Sequence, residues 1–100
     1  MARFTLDQSS AFEEQHAALK AANEPKWKKV NKALRFLAED PHHPGLNAHK
    51  WDSLKGAGPN GEDIWTAYVE NNTPSAWRIF FFYPNNKAGV IALVSVGPHS

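Results

Sequence analysis

The 100-residue chain has no cysteine. That excludes a disulfide framework and every thiolate-ligated zinc or iron–sulfur centre. Long apolar runs are missing too: the longest, A-G-V-I-A-L-V from Ala88, is interrupted by Gly89 and falls far short of the roughly 20 residues a membrane helix needs. The opening M-A-R-F-T-L-D-Q lacks the apolar stretch of a secretion signal. A soluble, cytoplasmic protein with no membrane contact is therefore expected. An excess of one charge is absent as well, the formal net charge being +1. No internal repeat or low-complexity tract divides the chain, so a single domain over residues 1–100 is expected.

What is present is apolar bulk. Hydrophobic residues make up 42% of the chain, with four Trp, six Phe and two Tyr, enough to form a core without covalent staples. After an extended start over residues 3–6, S-S-A-F-E-E predicts a helix beginning at a capping box in which Ser10 and Glu13 satisfy each other's backbone N–H. Phe12, Leu19 and Ala22 keep helical spacing until N-E-P at 23–25. Pro25 suits the first turn of a second helix. There Trp27, Val30, Leu34 and Leu37 form an apolar stripe, with Lys28, Lys32, Arg35 and Glu39 opposite and Pro41 as terminator. So short a break predicts an antiparallel helix hairpin.

The second half changes period. E-D-I-W-T-A-Y-V-E, W-R-I-F-F-F-Y and G-V-I-A-L-V-S-V-G read as strands, joined by turns at N-N-T-P-S-A and P-N-N-K-A-G. Short connections predict a three-stranded antiparallel meander. The fold class is thus α+β, a helix hairpin packed on one face of a small antiparallel sheet. Alternation then sorts the faces. Trp65, Ala67, Val69, Trp77, Ile79, Phe81 and Tyr83 turn one way. Ile64, Thr66, Tyr68, Arg78, Phe80 and Phe82 turn the other, onto a face the hairpin cannot cover. An uncovered apolar patch with one fixed cation marks a binding surface.

Three groups of residues could carry chemistry. His42, His43 and His49 crowd one loop, but adjacent histidines diverge and no H-E-x-x-H pair exists. No metal site is expected, and His42 and His43 read as exposed loop residues. His49 before residues 50–54, and His99 beyond a stiff Gly-Pro step, are candidates for acid–base work. Arg78 lies in a strand of Trp, Ile, Phe and Tyr, where an unpaired cation is costly. It either pairs with Glu62, Asp63 or Glu70, or faces an anionic ligand. Lys20, Lys26, Lys28, Lys29, Lys32 and Arg35 add a basic strip, read as a solvated helix face or a phosphate contact.

The order of these motifs resembles a known family. D-P-x-x-P-G-L, H-K-W-x-x-L-x-G, G-E-x-x-W-x-A-Y-x-E-N-x-T-P at residues 61–74, W-R-I-F-F-F-Y and V-S-V-G-P-H follow one another as in the RelE/ParE toxins of bacterial type II toxin–antitoxin modules, over nearly the whole chain. The resemblance implies a plasmid-stabilising toxin that cleaves messenger RNA on the ribosome through attack of a 2′-hydroxyl on the neighbouring phosphate, without a metal or other cofactor. It implies a cognate antitoxin as partner, the ribosome and mRNA as target, and room for a homodimer. By position, Arg78 would stabilise phosphate charge, and His99 and His49 would share the acid–base roles. Lys50 and Lys55 would contact phosphates, and Tyr68 and Phe82 would stack on bases. Lysine-using members project two lysines where this chain has Thr66 and Tyr68. That departure favours an alternative, a non-catalytic module such as a gyrase inhibitor or a degenerate homologue. A generic RNA-binding domain using the basic strip is a third reading.

Overall fold

The computed structural model describes residues 3–70 and 76–98. The N-N-T-P-S part of the first expected turn, and His99, lie outside the described residues. Helix α1 (Ser10–Ala22) is capped by Ser9, one residue earlier than the capping box predicts. Ser9 Oγ accepts from Phe12 N at 3.0 Å and donates to Val94 O at 2.9 Å. The second contact explains the shift: Ser9 can cap the helix and anchor it to the last strand at once, whereas Ser10 points to solvent. Asn23 both ends α1 and caps α2 (Glu24–Glu39), its side chain accepting from Lys26 N at 3.2 Å. Pro25 sits in the first turn as expected. The hairpin is antiparallel, since His16 meets Asn31 at 2.7 Å while Lys20 lies over Trp27.

The sheet is larger than the expected meander. Five strands run in the order β1 (Thr5–Gln8), β5 (Val90–Pro98), β4 (Trp77–Phe82), β3 (Trp65–Tyr68) and β2 (His49–Lys50). The β3–β4–β5 meander is present, but β1 adds a parallel pair against β5 and makes the sheet mixed. Nothing local in the extended start could reveal a partner some 85 residues away. The core lies between the hairpin and one sheet face. Phe12, Val30, Leu37, Ala67, Ile79, Phe81 and Ile91 are all fully buried there.

A β-bulge positions the rest. Phe80 pairs with Ser95 but Phe81 pairs with Leu93, so Val94 is the extra residue. Its carbonyl takes the Ser9 hydroxyl. The slip lets both Leu93 and Val96 enter the core, and it turns Ser95 and Gly97 onto the other face, opposite Phe80 and Arg78.

Candidate functional site on the open sheet face

The face away from the hairpin is partly closed by residues 51–64, which correct the expectation of a wholly uncovered surface. Trp51 N donates to Ile64 O at 2.8 Å, extending the β2–β3 pairing. The Trp51 ring then packs edge-on against Phe80 at 5.6 Å. Beneath this cover Ile64 and Thr66 are buried.

A carboxylate holds the covering segment in place. Glu62 is only 5% exposed and accepts from Asn60 N at 2.8 Å and Asn85 N at 3.1 Å. Gly58 permits this, because a Cβ there would come within 2.6 Å of Glu62 Oε1. Burial pushes the Glu62 carboxyl up, but the backbone donors outweigh it and leave the pKa below the ordinary glutamate value. A depressed folded-state pKa contributes stability that is present above the ordinary value and lost as pH falls through the lower, folded one. Protection of the Asn60 and Asn85 amides from hydrogen exchange, relative to their intrinsic rates, should therefore fall in that acid window. Glu62→Gln should produce the same loss of protection at neutral pH, since one amide oxygen cannot replace two carboxylate oxygens.

Arg78 stands at the centre of what remains open. Its guanidinium lies 4.3 Å from the Tyr68 ring and 5.1 Å from the Trp51 ring, and Nη2 donates to Tyr68 Oη at 2.9 Å. Among the described residues its buried Nε has no hydrogen-bond partner. None of the three candidate acids reaches it. Glu70 binds Lys26 at 3.1 Å and Lys29 at 3.3 Å, Asp63 binds Lys50 at 3.3 Å, and Glu62 serves the loop. Among the described residues no carboxylate is ion-paired with Arg78. Gly97 pairs with Arg78 on β5, and among the described residues a Cβ at Gly97 would meet nothing within 4 Å, which leaves room over that pair.

His49 flanks the same hollow. It pairs with Thr66 in β2–β3, and its ring lies 6.2 Å from Tyr68 and 6.4 Å from Trp51. Nδ1 is 2.9 Å from Asn47 O. A carbonyl only accepts, so Nδ1 carries the hydrogen and a neutral ring keeps its lone pair on Nε2. The exposed imidazole is thus oriented by its own backbone and presents a basic nitrogen outward.

The other sequence candidates separate. Lys50 turns to the opposite face, tied to Asp63 and 5.8 Å from the Trp65 ring. Lys55 is exposed near Asp63. The Gly56 N–H and the Lys50 ammonium hold the Asp63 carboxyl below its ordinary range. Phe82 lies four residues along β4 from Arg78, in a shallow hollow of about 280 Å³ with Asp7, Gln8 and Ala92. It does not join the Arg78 cluster. The basic strip is largely spent within the protein: Lys26 and Lys29 on Glu70, Lys28 on Glu24, and Lys32 and Arg35 near the Phe36 ring. Burial raises the Glu70 carboxyl, but Lys26 and Lys29 more than offset this and hold its pKa low. His43 is not a free loop residue. It stacks on Phe36 at 4.2 Å and its Nδ1 accepts from Gly45 N at 3.0 Å, which starts the short turn Pro44–Leu46.

Sequence reading missed Trp51 as a site residue. The signal was available: it stands two residues past His49, so the period of a strand puts both on one face. Among the described residues no group of three His, Asp or Glu side chains could hold a metal ion. No described helix is long and apolar enough to cross a membrane.

No family model matches the chain, and no curated protein matches it in sequence. Solved structures do match it in shape. A YoeB/ParE toxin from Agrobacterium tumefaciens superposes with a TM-score of 0.70 at 10% identity, covering 97% of this chain and 100% of that one. A chain of a YoeB–YefM complex from Staphylococcus aureus gives 0.66 at 17% identity over 99% and 100%. YafQ from Escherichia coli gives 0.57 at 13% over 97% and 94%. Two helices against a five-stranded mixed sheet, matched end to end by these structures, give this chain the same fold as the YoeB/ParE and YafQ toxins.

Proposed function

We propose that this protein is the toxin of a type II toxin–antitoxin pair and cleaves messenger RNA on the ribosome without a metal. The carrying observation is Arg78: a guanidinium held between two aromatic rings, unpaired by any described carboxylate, with room over its strand partner Gly97. A cation kept in so apolar a strand gains most from an anionic ligand. His49 Nε2 would take the proton of a 2′-hydroxyl as that oxygen bonds to phosphorus. Arg78 would stabilise the charge gathering on the phosphoryl oxygens. The bond from phosphorus to the 5′-oxygen breaks, and an acid, for which His99 is the candidate, protonates the leaving oxygen. The products are a 2′,3′-cyclic phosphate and a 5′-hydroxyl. Tyr68 would contact a flanking base.

The protein would act in the cytoplasm and be silenced by a small antitoxin. One similar structure is a toxin–antitoxin complex and another is a YoeB dimer, which supports such a partner and a homodimer. Purified protein added to an in vitro translation reaction should leave transcripts cut within the open reading frame. Intact transcripts with unimpaired synthesis would refute the proposal. His49→Asn should slow cleavage about a hundredfold, towards the low end of general-base effects, with the circular dichroism spectrum unchanged.

One observation favours a second reading, a non-catalytic module such as a gyrase inhibitor. Thr66 is buried and Tyr68 is engaged by Arg78, so β3 supplies no cation to the hollow. A protein of that kind would stay toxic after the His49 substitution.

A further inference from the structure

A hollow lined by aromatic and acidic residues lies on the other side of the sheet from Arg78. It measures about 530 Å³ and is lined by Phe4, Trp65, Tyr83, Glu39, Asp40 and His42, with the partly exposed rings meeting at steep angles. Phe4 and Tyr83 sit edge-on at 6.1 Å and 61°, and Trp65 and Tyr83 at 5.6 Å and 85°. These rings line the hollow, and an aromatic face left open to it would attract a cation.

The acidic groups lining this space are Glu39 and Asp40. Helix α2 ends here, and the C-terminal end of its macrodipole is negative. No basic residue occupies its last turn, and Glu39 and Asp40 add two carboxylates where helix stability favours cations. Asp40 Oδ1 accepts from His42 N at 3.0 Å. Among the described residues Asp40 has no cationic partner, and Glu39 is met only by the exposed Arg3 at 3.8 Å. Lys50 approaches Trp65 at 5.8 Å but is bound to Asp63. Burial, then the nearby Asp40 charge, pushes the Tyr83 phenol up, so the group stays a neutral hydroxyl able to donate. Acidic residues at the wrong end of a helix, beside three rings, are a local conflict of the kind that marks a ligand site.

We infer that this aromatic and acidic hollow receives an arginine side chain from a partner polypeptide. A guanidinium is flat enough to lie against Trp65 or Tyr83 while its N–H groups reach Asp40 and Glu39, which a compact ammonium does less well. The remaining volume accommodates the neighbouring backbone of the partner. This surface is separate from the Arg78 hollow and stands whether or not the chain cleaves RNA.

The test uses the full, isotope-labelled chain titrated with N-acetyl-arginine amide, its lysine counterpart and its uncharged citrulline counterpart. Arginine amide should cause saturable shifts at the Trp65 indole N–H and the His42 backbone amide, with a Kd on the order of millimolar for one isolated side chain. Citrulline amide should bind about tenfold more weakly or not at all, and lysine amide less tightly than arginine. Asp40→Asn keeps the bond to His42 and should weaken arginine binding several-fold, whereas Arg78→Ala should leave it unchanged. The inference is overturned by the absence of saturable shifts at Trp65, by equal binding of citrulline or lysine, by indifference to Asp40→Asn, or by loss of binding in Arg78→Ala.

Discussion

Arg78→Ala should lower mRNA cleavage roughly a thousandfold, the loss typical of removing a principal donor to a charge-developing oxygen, while the protein remains folded. The guanidinium is held by Tyr68 Oη and two rings and lacks a carboxylate among the described residues. Its charge is thus available to the phosphoryl group. Removing it also removes a buried Nε with no hydrogen-bond partner among the described residues, so little stability should go with it. Arg78→Lys should rescue poorly. An ammonium has no plane to lie along Tyr68 and no fork to grip two oxygens. Single-turnover cleavage of a ribosome-bound transcript measures the effect, with the thermal midpoint as control. Activity within tenfold of the parent, in a variant that melts normally, would remove Arg78 from the mechanism.

The largest effect on stability is expected from Phe81→Ala, about 3–5 kcal/mol. Phe81 is fully buried, stacks near Trp65 at 6.4 Å, and meets Tyr83 at 5.7 Å. It also sits at the register shift against Leu93. For a domain whose total stability is on the order of 5–15 kcal/mol, that loss should lower the urea midpoint by about a quarter or more. Phe80→Ala, its neighbour on the open face, is half-buried under Trp51 and should cost clearly less. Equal losses at the two positions would contradict the assignment of faces.

The same contrast shows what a sequence can carry. Strict alternation through W-R-I-F-F-F-Y places Ile79 and Phe81 in the core and Arg78 and Phe80 on the other side, and the structure agrees. The apolar stripe of α2 was equally legible: Val30, Leu34 and Leu37 are all buried. Less legible were the features that depend on what comes to lie opposite. The cap moved from Ser10 to Ser9 because Val94 O waits across the molecule. Phe82 left the cluster because the face is long and only its Arg78 end is lined by Trp51 and His49. The bulge at Val94 had a faint trace, the core residues Leu93 and Val96 standing three apart instead of two.

By itself the sequence determined the two helices and the three strands of the meander, the core-facing side of each, and the presence of a lone arginine among aromatics. Those follow from periodicity and side-chain chemistry, which are local. Only the tertiary structure decided that β1 runs parallel beside β5, that Glu62 fastens the covering segment, and that Arg78 escapes all three nearby acids. Each of these is a choice among partners distant in the chain. Such choices are made by the closure of the whole fold, where every carboxylate and strand edge competes for the same few neighbours.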